Sequence, residues 1–181
     1  MRVTSTSPAK RLAVAAIAAA LLGGTPGLAA AAAPQAAPPP QQTEPTWLRY
    51  EVQPPNSSTK GMDVDSGGKV VMAEREQNDD RQFWSLSGTA GKQLLKNKAT
   101  GTCLTAPSNG AKGPVTLQTC DEKNVNQQWN RQYWDRGLMT VSLAAHPELY
   151  LTGSAQVGSA VTVESYHGTY VQHWSLVPPG Y

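Results

Sequence analysis

Apolar and polar side chains alternate every second residue in short runs along this chain, the period of a strand with one face on a core and the other in water. Trp47-Leu48-Arg49-Tyr50-Glu51-Val52, rich in aromatic and β-branched residues, predicts a first strand that stops at the turn cluster Pro54-Pro55-Asn56. Met62-Asp63-Val64 and the turn residues Asp65-Ser66-Gly67-Gly68 follow, then a strand in which Val70 and Met72 alternate against Val71 and Ala73. Asp63, Asp65 and Gly67 superficially suggest a calcium loop. The chelating positions that should come next are missing, so the segment reads as a turn.

The same order recurs twice. Leu94-Leu95, Cys103-Leu104, the turn Ser108-Asn109-Gly110 and the strand Val115-Thr116-Leu117 form a second set. Leu138-Met139-Thr140-Val141, Tyr150-Leu151, the turn Gly153-Ser154 and the strand Val161-Thr162-Val163 form a third. Each set closes on a Gln-x-Trp word, Gln82-Phe83-Trp84, Gln127-Gln128-Trp129 and Gln172-His173-Trp174, with successive tryptophans 45 residues apart. Val115 and Leu117 likewise stand 45 residues after Val70 and Met72, whereas matching Val161 and Val163 to them implies one residue fewer in the loop that follows. Under that alignment Tyr150 and Tyr166 fall where Cys103 and Cys120 stand, so a packed tyrosine pair takes the place of a bridge. A fourth word, Gln132-Tyr133-Trp134, lies five residues out of phase and belongs to no repeat.

Four short strands in each of three units predict an all-β chain of about twelve strands with pseudo-threefold symmetry. No unit can bury its apolar face alone, and a barrel with a hairpin cap removes the open edges. The predicted fold is a β-trefoil over residues 46–181, with lobes at about 46–91, 92–136 and 137–181. Trp84, Trp129 and Trp174 are then core residues, each indole N–H needing a partner.

Composition changes this picture at the N-terminus. Arg2, Lys10 and Arg11, the apolar run Leu12 to Leu22 and the small residues from Gly27 to Ala33 predict a secretory signal over residues 1–33. The apolar run falls short of the roughly 20 residues a bilayer demands, which argues against membrane insertion. Residues 34–45 (PQAAPPPQQTEP) read as an extended tether that is able to dock as an arm. The whole chain carries 15 Lys and Arg against 13 Asp and Glu, but three of the cations lie in the signal, so the remainder is near neutral. There is no electrostatic case for nucleic acid. Cys103 and Cys120 enclose 16 residues, and an isolated pair in an exported chain predicts one disulfide. A metal site would want further ligands at short spacing, and His146 stands alone.

The three Gln-x-Trp words, Cys103-Leu104 with Cys120 behind it, and the near-equal repeats together resemble the ricin-type lectin family, the three-lobed carbohydrate-binding modules of many secreted glycosidases. The resemblance covers nearly all of residues 46–181. It implies one sugar pocket per lobe: an acid two residues after the first Cys position, a stacking aromatic ring in the next strand, and an Asn-Gln before the Trp. A sugar offers an apolar C–H face and a fan of hydroxyls, so one ring and a few acceptors and donors suit it. Carried onto this chain, the first lobe keeps Asp63 and Gln82, with Ala73 at the ring position and Arg81 in place of Asn. The second keeps Asn126 and Gln127, with Thr105 for the acid and Gln118 for the ring. The third has Thr152 for the acid and Val171 for the Asn, and Glu164, Tyr166 and His167 as substitutes, with Tyr166 a displaced stacking ring.

Two functions follow. One is a secreted carbohydrate-binding protein that takes a glycan or polysaccharide through partly altered pockets. The other is a structural or adaptor subunit that binds other secreted proteins in a toxin or adhesion complex, through the trefoil surface and the Pro-rich arm. No cofactor is expected. Nor is an enzyme, because the three histidines accompany no Gly-x-Ser-x-Gly or Gly-Lys-Ser/Thr word and nothing fixes two carboxylates at a catalytic separation.

Overall fold

The structure, a computed structural model, describes residues 45–53 and 59–180. The predicted signal, all of the tether before Pro45, and the turn at Pro54-Pro55-Asn56 lie outside the described residues.

Among the described residues the alternating runs form thirteen strands. The first lobe contributes β1 (Trp47–Val52), β2 (Lys60–Val64), β3 (Val70–Glu74) and β4 (Trp84–Ser87). The second contributes β5 (Leu94–Asn97), β6 (Cys103–Thr105), β7 (Gly113–Pro114), β8 (Thr116–Gln118) and β9 (Trp129–Tyr133). The third contributes β10 (Leu138–Leu143), β11 (His146–Thr152), β12 (Thr162–Ser165) and β13 (Trp174–Val177). The thirteenth arises because the predicted strand at Val115-Thr116-Leu117 divides. Residues 113–114 pair with β12 of the third lobe, and residues 116–118 pair with β6 of their own.

The outer strands of each lobe close a six-membered ring. β1 pairs with β4, β4 with β5, β9 with β10, β10 with β13, and β13 back with β1. The remaining step, from β5 to β9, is made by reciprocal backbone hydrogen bonds between Gln93 and Trp129 at 3.3 and 2.8 Å. Closure leaves no barrel strand with an unpaired edge. The hairpins β2–β3, β6–β8 and β11–β12 cap the barrel. They meet through Val70, Val115 and Val161, one buried valine from each lobe. The Val161 N–H donates to Val70 O and the Val115 N–H to Val161 O, both at 3.0 Å. The expected correspondence of these three positions, with its one-residue shift in the third lobe, therefore holds.

The three tryptophans sit in the core with no exposed surface. Each indole donates to a backbone carbonyl of the second strand of its own lobe: Trp84 to Met62 O at 3.1 Å, Trp129 to Leu104 O at 3.1 Å and Trp174 to Leu151 O at 3.0 Å. One large ring per lobe thus fills the barrel without leaving a buried donor unpaired.

Candidate functional site

The residue two before each tryptophan decides what the lobe surface can do. A single 3-10 turn precedes every Trp, at Asp80–Gln82, Val125–Gln127 and Tyr170–Gln172, and it turns the glutamine inward. Gln82, Gln127 and Gln172 are all fully buried. Each amide nitrogen donates to a carbonyl at or just past the end of β3, β8 or β12: Glu74 O, Thr119 O and Ser165 O, at 2.9 to 3.0 Å. Each amide oxygen accepts a backbone N–H in the loop that follows, from Glu76, Asp121 and His167 at 2.8 to 3.0 Å. A second donation reaches Thr105 Oγ1 at 3.0 Å and Thr152 Oγ1 at 3.1 Å, with a longer 3.5 Å approach to Asp63 Oδ2 in the first lobe. The hydrogen bonds of Gln82 and Gln127 are thus made inside the fold. Each glutamine clamps the surface loop that it bonds.

Asp63 is buried near the end of β2, accepting the Val64 N–H at 2.6 Å, and loss of solvation pushes its carboxyl above the ordinary aspartate range. Beside it, Arg81 is committed to Asp79, whose carboxylate it grips through two nitrogens. This pairing holds Asp79 below the usual carboxylate range. The first lobe thus has Ala73 at the ring position and an ion pair at the position of the Asn. In the second lobe Thr105 turns inward to donate to Cys103 O, and the disulfide Cys103–Cys120 occupies the hairpin. Asn126 is half-buried; its backbone N–H is held by Asn124 Oδ1 and its carbonyl by the Ala106 N–H.

The third lobe differs. Where the second has its disulfide, Tyr150 and Tyr166 pack with ring centroids 4.9 Å apart, the substitution expected from the alignment. Tyr166 nevertheless keeps 43% of its surface in solvent. The β11–β12 register puts Glu164 opposite Tyr150, and Thr162 Oγ1 donates to Glu164 Oε1 at 2.9 Å. His167 is held from two sides, its backbone N–H by Gln172 and its Nδ1 by the Thr169 hydroxyl at 3.0 Å, and its Nε2 lies 3.8 Å from Glu164 Oε2. Glu164, Ser165, Tyr166 and His167 line a shallow cavity of about 400 Å³ together with Lys112 and Gly113 from the second lobe. The structure thus brings Glu164, Tyr166 and His167 together, and leaves Asp63 and Asn126 in the other two lobes. Lys112 was not legible from the repeat. It arrives because β7 crosses to pair with β12, Gly113 opposite Val163, which sets Lys112 level with Glu164.

A second cavity of about 320 Å³ lies next along, lined by Gln53, Leu138, Tyr170 and His173. His173 joins it to the first, its Nε2 being 3.4 Å from the Tyr166 hydroxyl and its ring centroid 6.2 Å from that of Tyr166. No helix among the described residues is long and apolar enough to cross a membrane.

The family of ricin-type beta-trefoil lectin domains matches residues 40–129. Among solved structures, the chain is similar to a designed threefold-symmetric protein, ThreeFoil, at 22% identity and a TM-score of 0.62, covering 72% of this chain and 97% of that one. It is also similar to the ricin B-like lectin of Macrolepiota procera, solved with lactose, at 12% identity and a TM-score of 0.63, covering 77% and 99%. A mosquitocidal holotoxin is a third, at 16% identity and a TM-score of 0.65, covering 77% of this chain but 18% of that one. At these identities the likeness establishes the β-trefoil. No curated protein matches the chain.

Proposed function

We propose, for a chain that carries a ricin-type β-trefoil lectin domain, an exported carbohydrate-binding protein without catalytic activity that engages glycan through its third lobe. The observation that supports this is the convergence of Glu164, Tyr166, His167 and Lys112 on one open cavity, while the corresponding surfaces of the first two lobes are taken up by an ion pair and a disulfide.

The chemistry suits a sugar. Tyr166 offers a half-exposed ring to the apolar face of a pyranose, supported from behind by Tyr150. Glu164 accepts hydrogen bonds from vicinal hydroxyls, Lys112 donates to ring or hydroxyl oxygens, and the imidazole of His167 supplies one further polar contact. Because Gln172 anchors the His167 backbone, the buried glutamine acts on the ligand through the loop it holds. The leader predicted at residues 1–33 supports export. Nothing comparable favours the adaptor reading.

The test is retention of the domain on a panel of immobilised mono-, di- and trisaccharides of galactose, N-acetylgalactosamine and glucose. Tyr166→Ala and Glu164→Gln each abolish or greatly weaken retention, while Asp63→Ala leaves it unchanged. Retention that survives both third-lobe substitutions, or that is lost with Asp63→Ala in a folded protein, refutes the assignment.

A further inference from the structure

The middle residue of each Gln-x-Trp word meets a different fate. Phe83 is buried under the cations of Arg49 and Lys98, 5.2 and 5.7 Å from its ring centroid. Gln128 is buried and donates to Glu122 O at 2.7 Å. His173 alone of the three is only half-buried, and it stands between the two cavities of the third lobe. Its Nδ1 is fixed on Thr169 O at 2.9 Å, which leaves Nε2 facing the Tyr166 hydroxyl.

Trp134 completes the arrangement. It comes from the fourth, out-of-phase Gln-x-Trp word, and it lies in the turn between the second and third lobes, outside the barrel. Its backbone N–H donates to Leu138 O at 2.8 Å, and its ring meets His173 edge-on with centroids 5.9 Å apart. It therefore touches two of the residues that line the second cavity. The indole N–H is fixed on Thr140 Oγ1 at 3.2 Å, yet 45% of the residue remains in solvent. An exposed tryptophan locked in one orientation beside such a hollow is a stacking platform whose ordering cost has been met in advance.

We propose that the second cavity is a subsite for the next sugar unit of the same glycan, so that the third lobe reads an oligosaccharide of at least two units across the Tyr166–His173 ridge, with Trp134 as the second platform. This rests on the carbohydrate reading of the first cavity. Each hollow by itself lies near the lower end of the roughly 300–1,000 Å³ usual for ligand sites, and the contact of Tyr166, which lines the first, with His173, which lines the second, sets them side by side. Tyr166 lines the first hollow and His173 the second, and Trp134 packs against His173.

The experiment uses the same panel of immobilised mono-, di- and trisaccharides, read quantitatively, with Trp134→Ala, Trp134→Phe and Tyr166→Ala compared after thermal melts confirm that each is folded. The expected result is that Trp134→Ala weakens di- and trisaccharide binding about tenfold and leaves monosaccharide binding unchanged, that Trp134→Phe recovers most of the loss, and that Tyr166→Ala weakens all lengths. If Trp134→Ala binds every length as the parent does while Tyr166→Ala does not, the single-sugar site stands and the second subsite is wrong. If Trp134→Ala weakens monosaccharides equally, Trp134 belongs to the first site and the two-unit reading is overturned. If the parent protein is retained by no member of the panel, both readings fall together.

Discussion

Replacing Gln127 by Met tests whether the glutamines of the repeated word are structural clamps or ligand contacts. Met nearly conserves volume, so the change removes hydrogen bonds without opening a large cavity. Three interactions go: the donations to Thr119 O and Thr105 Oγ1 and the acceptance from Asp121 N. Thr105 still has Cys103 O as its acceptor, so two backbone groups are left without a partner. Thr119 and Asp121 are themselves exposed, so water reaches both groups, and at about 0.5–1.5 kcal/mol net for each lost bond the loss comes to roughly 1–3 kcal/mol. Against a typical domain stability of about 5–15 kcal/mol that is a large fraction. Urea unfolding followed by tryptophan fluorescence measures it as a fall in midpoint with an unchanged slope. Binding to the immobilised glycans stays at the parent level, because the loop concerned belongs to the second lobe. Gln172→Met has the same cost in stability and also weakens glycan binding, since it releases His167. A loss below about 0.5 kcal/mol for Gln127→Met, or a loss of binding with stability intact, refutes the clamp.

Three more predictions follow from the interior. Replacing Cys103 and Cys120 together by Ala lowers stability by about 3 kcal/mol, the chain-entropy value for a loop of this size, read from the shift in urea midpoint; no shift refutes it. Glu51 lies buried between Arg49, also buried, and Arg75, with contacts of 3.1 and 2.6 Å, so Glu51→Ala removes the carboxylate from between two guanidinium groups and costs about 3–5 kcal/mol; a loss under 1 kcal/mol would show that solvent reaches the site. Because burial raises the Asp63 carboxyl above its unfolded value, the folded state holds that proton more tightly. The contribution of Asp63 to stability therefore falls as pH rises from the unfolded value of about 3.8 through the raised folded one. Asp63→Thr, the residue type found at the equivalent positions 105 and 152, removes that decline, which unfolding curves between pH 3 and pH 7 detect as a flatter dependence than the parent's.

Local pattern was enough to determine the architecture. Alternation at period two marks Val70, Val115 and Val161 as inward residues, the 45-residue spacing of Trp84, Trp129 and Trp174 sets the threefold repeat, and together these require a closed all-β body. The same alignment placed Tyr150 against Tyr166, because a position that holds a disulfide in one lobe must hold some other pair of touching side chains in the next. What a repeat cannot express is how one lobe meets another. Lys112 reaches Glu164 only because β7 leaves its own hairpin for the third lobe, and Trp134 reaches His173 only because the turn after β9 folds back over the end of β10. Nor does a residue's type reveal which way it faces: the glutamines look like ligands in the sequence and become buried clamps once the turn before each tryptophan points them inward. Periodicity is a property of neighbours along the chain, whereas a binding groove is made by residues that closure of the barrel brings together from its separate thirds.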